Sequence, residues 1–496
     1  MITHLDSPAQ AAAWLRDRVT GQMTTDSRDV ADGDGFIAWP GAASDGRRYV
    51  AAALATGARA CLVEQKDVDA FGFSDARIAG YTGLKRALGP IASRYYDAPS
   101  AHLDVVAVTG TNGKTSTTWL LAQALSKLGK RCGVVGTLGI GEPGSMNANG
   151  LTTPDPVRLH GELRRFVDGG FSACAIEASS IGLAEHRLDA LAIRVALFTN
   201  FTQDHLDFHG SMAGYWQAKR ALFNWPGLRA AVLNLDDPKG VELEADLRAT
   251  DLDVWSCSMK GPARIRARHI VHHAAGLGFE VVEGADAISL QTQLVGDYNV
   301  ANLIGAVAAM RALQIPLRDA VAACADLVPV PGRMELLASP NAPLVVIDYA
   351  HTPDALEKVL TALRPMALAR SGLLWCLFGC GGDRDRTKRP LMAAIAEQNA
   401  DQIMLTSDNP RHENPMAIID DVMRGFARAD AVRVEPDRAA AIARVLELAG
   451  AADVVLLAGK GHEPYQDVGG EKRVFSDRVQ AEFVLAAARL SRGAAA

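Results

Sequence analysis

The feature that most constrains this 496-residue chain is a recurring unit. A short, mostly β-branched apolar run ends at a glycine or polar residue, and helical spacing follows. Val105–Val108 leads into the Gly110–Gly113 loop, and Thr117–Leu128 then carries apolar residues at helical spacing. The same rhythm takes Ala173–Ile176 into Glu177, Val195–Phe198 into Thr199 and Asn200, and Ala231–Leu233 into Asn234. Further on it takes Val345–Ile347 into Asp348, Leu374–Phe378 into Gly379, and Val454–Leu457 into Gly459. Short strands without polar alternation are buried on both faces, so the pattern predicts α/β architecture with parallel sheets. The polar residues fall at the strands' carboxyl ends, where open α/β sheets bind ligands.

Length predicts about three domains. Composition is ordinary for a globular protein, with 49% apolar and 22% charged residues. The net charge of −6, from 51 basic and 57 acidic residues, excludes a broad electrostatic case for nucleic acid or an anionic membrane as partner. No apolar run approaches the ~18–20 residues that span a bilayer. The start, MITHLDSPAQ, lacks the basic-then-apolar layout of a secretory signal. The 7 cysteines are scattered without a CxxC, which reads as reduced, buried thiols in a cytoplasmic protein.

Two connectors divide the chain. Tyr95–Ala101 is polar and contains proline, and Val328–Gly332 (VPVPG) is rich in Pro and Gly. They give expected domains of 1–100, 101–330 and 331–496.

The segment Val108–Thr115 (VTGTNGKT) lies between a predicted strand and a predicted helix. Gly110 and Gly113 allow a tight turn that aims N–H groups inward, and the helix N-terminus adds partial positive charge. Lys114 can reach the outer phosphates of a nucleoside triphosphate, and the Thr115 hydroxyl can hold Mg²⁺. Valine stands at 108 where the usual phosphate-loop pattern has glycine.

Glu177 follows a predicted buried strand. Its residue type leaves open a Mg²⁺ ligand or a helix N-terminal acid set against the dipole. Phe198–Ser211 packs Asp204, His205, Asp207 and His209 closely together. Without an accompanying cysteine or HExxH these histidines do not suggest zinc, and a histidine beside Mg²⁺ at a phosphate site fits better. Lys219, in the helical-looking YWQAK, is on residue type alone a solvated lysine.

At this point the blocks in order resemble the Mur ligases, ATP-dependent amide-forming enzymes of peptidoglycan precursor synthesis. The blocks are TGTNGKT, EASS, DHLDFHG, YWQAK, GDYNVAN (Gly296–Asn302), PGRME (Pro331–Glu335) and DYAHTPDAL (Asp348–Leu356). TTDSRDV (Thr24–Val30), DGRRY (Asp45–Tyr49), FGCGGDRDRTKRP (Phe378–Pro390), SDNPR (Ser407–Arg411) and GKGHE (Gly459–Glu463) resemble the member that adds the third peptide residue.

The resemblance implies a UDP-binding α/β domain, a central ATP-binding domain and a Rossmann-like domain that brings in the amino acid. ATP is then a co-substrate and Mg²⁺ the cofactor. Gly110, Thr111, Asn112, Gly113, Lys114, Thr115 and Ser116 would cradle the phosphates. Glu177 and His205 would support metal, Asn299 and Asn302 would face the adenine, and Arg333 and Asp348 would reach the nucleotide. Lys219 is expected to be carbamylated, which replaces an ammonium beside metal ions with an anionic oxygen ligand. Ser27, Thr152, Thr153, Ser179, Glu185 and Arg187 match positions that hold the UDP-muramoyl dipeptide. A monomer is implied, with no nucleic acid or membrane partner.

The implied reaction phosphorylates a substrate carboxylate and passes the acyl group to an amine. The acyl phosphate must be kept from water, so closure of the third domain is expected, with Val328–Gly332 as the hinge. The incoming amino acid is expected to be meso-diaminopimelate. Arg411, in Asp408-Asn409-Pro410-Arg411, can grip its second carboxylate in a fork, Arg384 can add a cation, and Glu463 beside Gly459 can pair with the distal ammonium. L-Lysine would leave the Arg411 site without its anion, at a cost on the order of 1–3 kcal/mol. Three departures from the family pattern touch the muramoyl side: Ile181 for histidine, Glu185 for glutamine, and Ala42-Ala43-Ser44 for a more polar segment.

Overall fold

A computed structural model describes residues 2–41, 44–148, 150–273 and 276–493. Ala42 and Ala43, two of the departures above, lie outside the described residues. The fold is mixed α/β with mostly parallel sheets, and the chain forms two compact units.

The first unit comprises Met1–Arg266, Val282–Asp286 and Asn302–Cys324. Its N-terminal sheet has five parallel strands in the order Thr3–Leu5, Ile78–Tyr81, Ala60–Glu64, Gly35–Ala38 and Met23–Thr24. Helix Pro8–Arg16 starts at Ser7, whose side chain accepts from the Gln10 N–H, and Pro8 takes the first helical position, where no N–H is needed. Trp14 and Leu15 of this helix join Leu88 and Ile91 of helix Leu84–Tyr95 over Ile37 and Leu62 of the sheet.

The central sheet of this unit runs Asp253–Ser258, Ala230–Asn234, Val195–Phe198, Asp104–Thr109, Ala173–Glu177 and Cys132–Gly136, all parallel. Antiparallel strands Gly139–Glu142 and Ser145–Asn147 extend it. From Asp104–Thr109 the chain builds one side of the sheet, then crosses to Val195–Phe198 on the other. The reversal point is the carboxyl end of Asp104–Thr109, where the glycine-rich loop leaves the sheet toward helix Lys114–Lys127.

The second unit comprises Ala267–Val281, Ala287–Ala301 and Ala325–Ala496. Its sheet runs Glu335–Leu337, Leu344–Asp348, Val454–Ala458, Leu374–Phe378, Gln402–Leu405 and Arg433–Val434, with only the first pair antiparallel. Side chains alternate across it. Val346, Cys376, Phe378 and Leu456 pack under helices Pro353–Ala369 and Lys388–Asn399. Val345, Ile347, Trp375, Leu377 and Leu457 pack under Arg438–Leu448 and Asp477–Gly493. Both faces are covered, which is why these strands read as unbroken apolar runs. Every strand singled out in the sequence is present at its expected place.

Val328 is exposed, and no regular element covers Val328–Gly332. Among the described residues all seven cysteines are free and buried. No described helix is long and apolar enough to cross a membrane.

Candidate active site

The loop after Asp104–Thr109 turns at two glycines with positive φ, Gly110 (148°) and Gly113 (84°). A Cβ on Gly110 would lie 1.9 Å from Thr199 Oγ1, and one on Gly113 would lie 2.7 Å from Asn302 Oδ1. Only glycine meets both the conformation and the clearance. The next strand's end anchors the loop. Asn200 O accepts from the Thr111 N–H at 2.8 Å, and Asn200 Oδ1 accepts from the Asn112 N–H at 2.9 Å. Thr199 Oγ1 donates to Asn112 O at 2.6 Å.

Two lysines converge on this loop. Lys114 Nζ donates to Gly110 O at 2.9 Å and Thr111 O at 2.8 Å. Lys219 Nζ, from helix Met212–Arg220, donates to Gly110 O at 2.6 Å and lies 4.5 Å from the Tyr215 ring centre. Lys219 is only 1% exposed, so it is no solvated helix lysine. Burial, with Lys114 adding repulsion, pushes its amine well below the usual lysine range.

Glu177 is also 1% exposed. Its Oε2 accepts from Thr115 Oγ1 at 3.0 Å and Thr137 Oγ1 at 3.2 Å, and its Oε1 accepts from the Thr137 N–H at 2.8 Å. It faces the first turn after the phosphate loop. Ser116 is half-buried in that turn. His205 adopts a left-handed backbone (φ 51°), with Nε2 3.5 Å from Asp204 Oδ2. Burial depresses its imidazole against the pull of Asp204, and Lys114 and Lys219 add to the depression. His209 turns elsewhere, its Nε2 lying 3.0 Å from Ser180 Oγ.

Among the described residues no three His, Cys, Asp or Glu side chains form a ready cage for a metal. Thr115 and Glu177 instead supply a hydroxyl and a carboxylate beside a phosphate loop. Hard oxygen donors in small number fit Mg²⁺, which keeps waters and shares phosphate oxygens.

Of the residues expected on the muramoyl side, Thr152, Thr153 and Ser179 gather behind Glu177. Thr153 Oγ1 donates to Glu177 O at 2.7 Å and lies 2.9 Å from Ser179 Oγ. Thr152 Oγ1 lies 3.1 Å from Thr137 Oγ1, and Arg187 Nη1 donates to Thr153 O at 3.0 Å. Ser179 caps the helix Ser180–Ala184 that carries Ile181. Glu185 forms a 2.6 Å ion pair with Lys85, which gives its charge a partner where glutamine would need none. Ser27 lies half-buried in the turn after Met23–Thr24.

In the second unit, Asn299 Nδ2 donates to Val295 O at 2.8 Å. Both Asp348 oxygens accept backbone N–H groups, from Met334 and Ala350, each at 2.8 Å. Burial raises the Asp348 carboxyl, and the neighbouring Arg333 opposes that shift. The Arg333 guanidinium lies 4.4 Å from the Tyr349 ring centre, and among the described residues its buried Nε has no hydrogen-bond partner.

Asp408, Asn409, Arg411, Gly459 and Glu463 come together at the carboxyl end of this unit's sheet. Arg411 has φ 49°, and its Nη1 donates to Gly382 O at 2.8 Å. Its Nη1 and Arg384 Cγ would lie 3.0 and 3.8 Å from a Cβ on Gly381, so both arginines flank one turn. Arg384 itself is exposed. A Cβ on Gly459 would lie 2.5 Å from Asp408 Oδ2, a buried carboxylate oxygen that has no hydrogen-bond partner among the described residues. Asn409 Nδ2 donates to Glu463 Oε2 at 2.9 Å.

Sequence reasoning missed two buried cations here. Arg389 Nη2 donates to Glu413 Oε1 at 2.9 Å and Gly381 O at 3.2 Å. Lys460 Nζ donates to Asn409 Oδ1 at 2.9 Å and Glu463 Oε2 at 2.8 Å. The available signal for Lys460 was its place between Gly459 and Gly461, directly after a buried strand.

The Mur ligase middle domain model matches residues 108–310, and the Mur ligase, glutamate ligase domain model matches residues 332–461. The UDP-N-acetylmuramoyl-L-alanyl-D-glutamate–2,6-diaminopimelate ligase of Acidovorax sp. (strain JS42) is 58% identical over 484 residues, covering 96% of this chain and 97% of the relative. The ligase of the same name from Pseudomonas aeruginosa is 48% identical over 472 residues, covering 95% and 96%. A solved structure of a ligase with that name superposes with a TM-score of 0.66 at 35% identity, covering 94% of this chain and 95% of that one. With family models spanning both units and relatives alike along nearly their whole lengths, the chain belongs to the Mur ligase family.

Proposed function

We propose that the chain joins meso-diaminopimelate to UDP-N-acetylmuramoyl-L-alanyl-D-glutamate at the expense of ATP, in peptidoglycan precursor synthesis. The observation that carries the choice of amino acid is the meeting of Arg411, Asn409, Asp408 and Glu463 at one sheet edge. It offers a guanidinium and two carboxylates, a complement to a substrate with a distal carboxylate and ammonium groups.

A carboxylate is a poor acyl donor at neutral pH. Its oxygen attacks the γ-phosphorus of ATP, the bond to the β-phosphate oxygen breaks, and ADP leaves. The amine attacks the acyl carbon of the acyl phosphate and loses a proton, and inorganic phosphate departs. Phosphoryl transfer asks mainly for positioning and charge compensation. The loop N–H groups and Lys114, once released from Gly110 O and Thr111 O, serve both needs. Thr115 and Glu177 would hold Mg²⁺, which neutralises phosphate charge when bound. His205 is assigned to the same metal region.

Lys219 is assigned as the carbamylated lysine. A buried ammonium next to Lys114 is poorly stabilised, whereas addition of CO₂ to the amine, with loss of a proton, gives an anion that Mg²⁺ favours. Asn299, Asn302, Arg333 and Asp348 are assigned to the nucleotide. Ser27, Thr152, Thr153, Ser179, Glu185 and Arg187 are assigned to the muramoyl dipeptide. The domain limits that go with this reading are 1–100, 101–330 and 331–496, and the enzyme is a cytoplasmic monomer.

The test is phosphate release from ATP with the UDP-muramoyl dipeptide and either meso-diaminopimelate or L-lysine, with Mg²⁺ and bicarbonate supplied. Release is expected with diaminopimelate and much less with lysine. Preference for lysine would overturn the assignment of Arg411, and no amine-dependent release would overturn the ligase reading.

A further inference from the structure

Lys460 is fully buried, an environment in which an ammonium persists only if its N–H groups are satisfied and its charge is matched. Its Nζ donates to Glu463 Oε2 at 2.8 Å and to Asn409 Oδ1 at 2.9 Å, and lies 5.7 Å from the Tyr465 ring centre.

These bonds fix two neighbouring groups. Asn409 Oδ1 accepts from Lys460 and from the Asp467 N–H at 2.9 Å, so the amide nitrogen must face the other way. There Nδ2 donates to Glu463 Oε2 at 2.9 Å. Glu463 therefore receives two hydrogen bonds on one oxygen. Among the described residues its Oε1 has no hydrogen-bond partner, and the side chain is 17% exposed. One carboxylate oxygen is committed to holding the residue in place and the other remains open.

We infer that Lys460 is a positioning residue of the amino-acid site: it orients the Asn409 amide and ties one oxygen of Glu463, leaving the other to receive an ammonium group of the incoming amino acid. Lys460 does not touch that substrate. It also compensates part of the negative charge that Asp408, Glu463 and Asp467 bring to this edge. Without it Glu463 Oε2 keeps only the Asn409 Nδ2 donor and the Asn409 amide only the Asp467 N–H to orient it, so the acceptor for the ammonium is held less firmly.

The inference rests on the ligase reading above, and one experiment separates the two. KM values for meso-diaminopimelate, ATP and the UDP-muramoyl dipeptide are measured on the wild type, K460M and K460Q, with melting temperatures alongside. A wild type that does not use diaminopimelate removes the ligase reading itself. With an active wild type, both variants are expected to raise the diaminopimelate KM at least tenfold and to change the other two KM values less than twofold. E463A is the control background, in which K460M should have little further effect on that KM, because the lysine acts through the carboxylate. Equal changes in all three KM values, a change in kcat alone, or full additivity with E463A would overturn the inference. Loss of the folded state in both K460M and K460Q would overturn it too, since Lys460 would then be a member of a structural ion pair.

Discussion

Thr115 and Glu177 are joined by a 3.0 Å hydrogen bond from the threonine hydroxyl to Oε2, which ties the first turn of helix Lys114–Lys127 to the end of a strand 62 residues further along. The carboxylate is buried, yet it faces a loop on which Lys114 and Lys219 converge. Glu177→Gln keeps the Oε1 acceptor for the Thr137 N–H, removes the charge, and turns Oε2 into an amide donor to which the Thr115 and Thr137 hydroxyls must reverse and accept. We expect kcat to fall by ~100-fold or more, on the scale of losing several kcal/mol of charge stabilisation at a metal-assisted phosphoryl transfer. The melting temperature should change little. Steady-state phosphate release with a thermal melt checks both, and unchanged kcat would remove Glu177 from the reaction.

Arg411 is held by Gly382 O and by its own left-handed backbone, so its guanidinium is fixed before any substrate arrives. Arg411→Lys keeps the charge and loses the planar fork. The diaminopimelate KM is expected to rise about 10–100-fold, the equivalent of about 1.4–2.8 kcal/mol. Activity with L-lysine, expected to be low, should stay where it is. Competition between the two amino acids, read by product mass, decides it; an unchanged preference would mean that another group reads the distal carboxylate.

Arg438 and Asp477 form a pair with both side chains wholly buried, at 2.7 Å for each of two hydrogen bonds. Arg438 also donates to Ala458 O at 2.9 Å and Ser407 O at 3.2 Å, just before Asp408 and Gly459. Asp477→Asn leaves a buried guanidinium without its counter-charge, and the expected loss of stability is about 3–5 kcal/mol. Denaturant unfolding of the wild type and the variant measures it. A loss below about 1 kcal/mol would show that water reaches the pair.

His160 is fully buried in helix Pro156–Asp168, and its Nε2 lies 3.3 Å from the carbonyl of Asp189. A carbonyl can only accept, so the proton sits on Nε2, while among the described residues the buried Nδ1 has no hydrogen-bond partner. Burial lowers the imidazole to about 4, against 6.5 in the open chain. Between pH 6.5 and 4 the unfolded chain thus binds a proton that the folded chain refuses. Stability falls as pH drops through this window, by on the order of 3 kcal/mol in all from this one group. His160→Gln should show a shallower decline over the same range in urea unfolding at pH 7, 6 and 5. Parallel curves for the two proteins would mean that His160 takes up its proton while folded.

Much of this molecule was legible in its sequence because its chemistry is local. Strands buried on both faces need unbroken apolar runs, and Val345–Ile347, Leu374–Phe378 and Val454–Leu457 announce themselves on that ground alone. The strands of the first hundred residues, such as Met23–Thr24 and Gly35–Ala38, were not singled out, being too short to stand above the background of alanine and glycine. A phosphate loop is built within one strand, turn and helix, so Gly110, Gly113, Lys114 and Thr115 could be read in order.

Glu177 and Lys219 stood differently. By residue type one was as good a helix-end acid as a ligand, and the other an ordinary solvated lysine. Only the parallel pairing of Ala173–Glu177 beside Asp104–Thr109, and the packing of helix Met212–Arg220 against the loop, bury both and turn them toward it. Lys460 shows the same division more sharply. Its neighbours Gly459 and Glu463 carry a recognisable spacing, whereas its own role depends on Asn409, 51 positions away in the chain. Short-range patterns fix strands, turns and the residue types a reaction needs; burial and the pairing of charges from distant segments are decided only when the sheet brings them together, because desolvation and hydrogen bonding act through space rather than along the sequence.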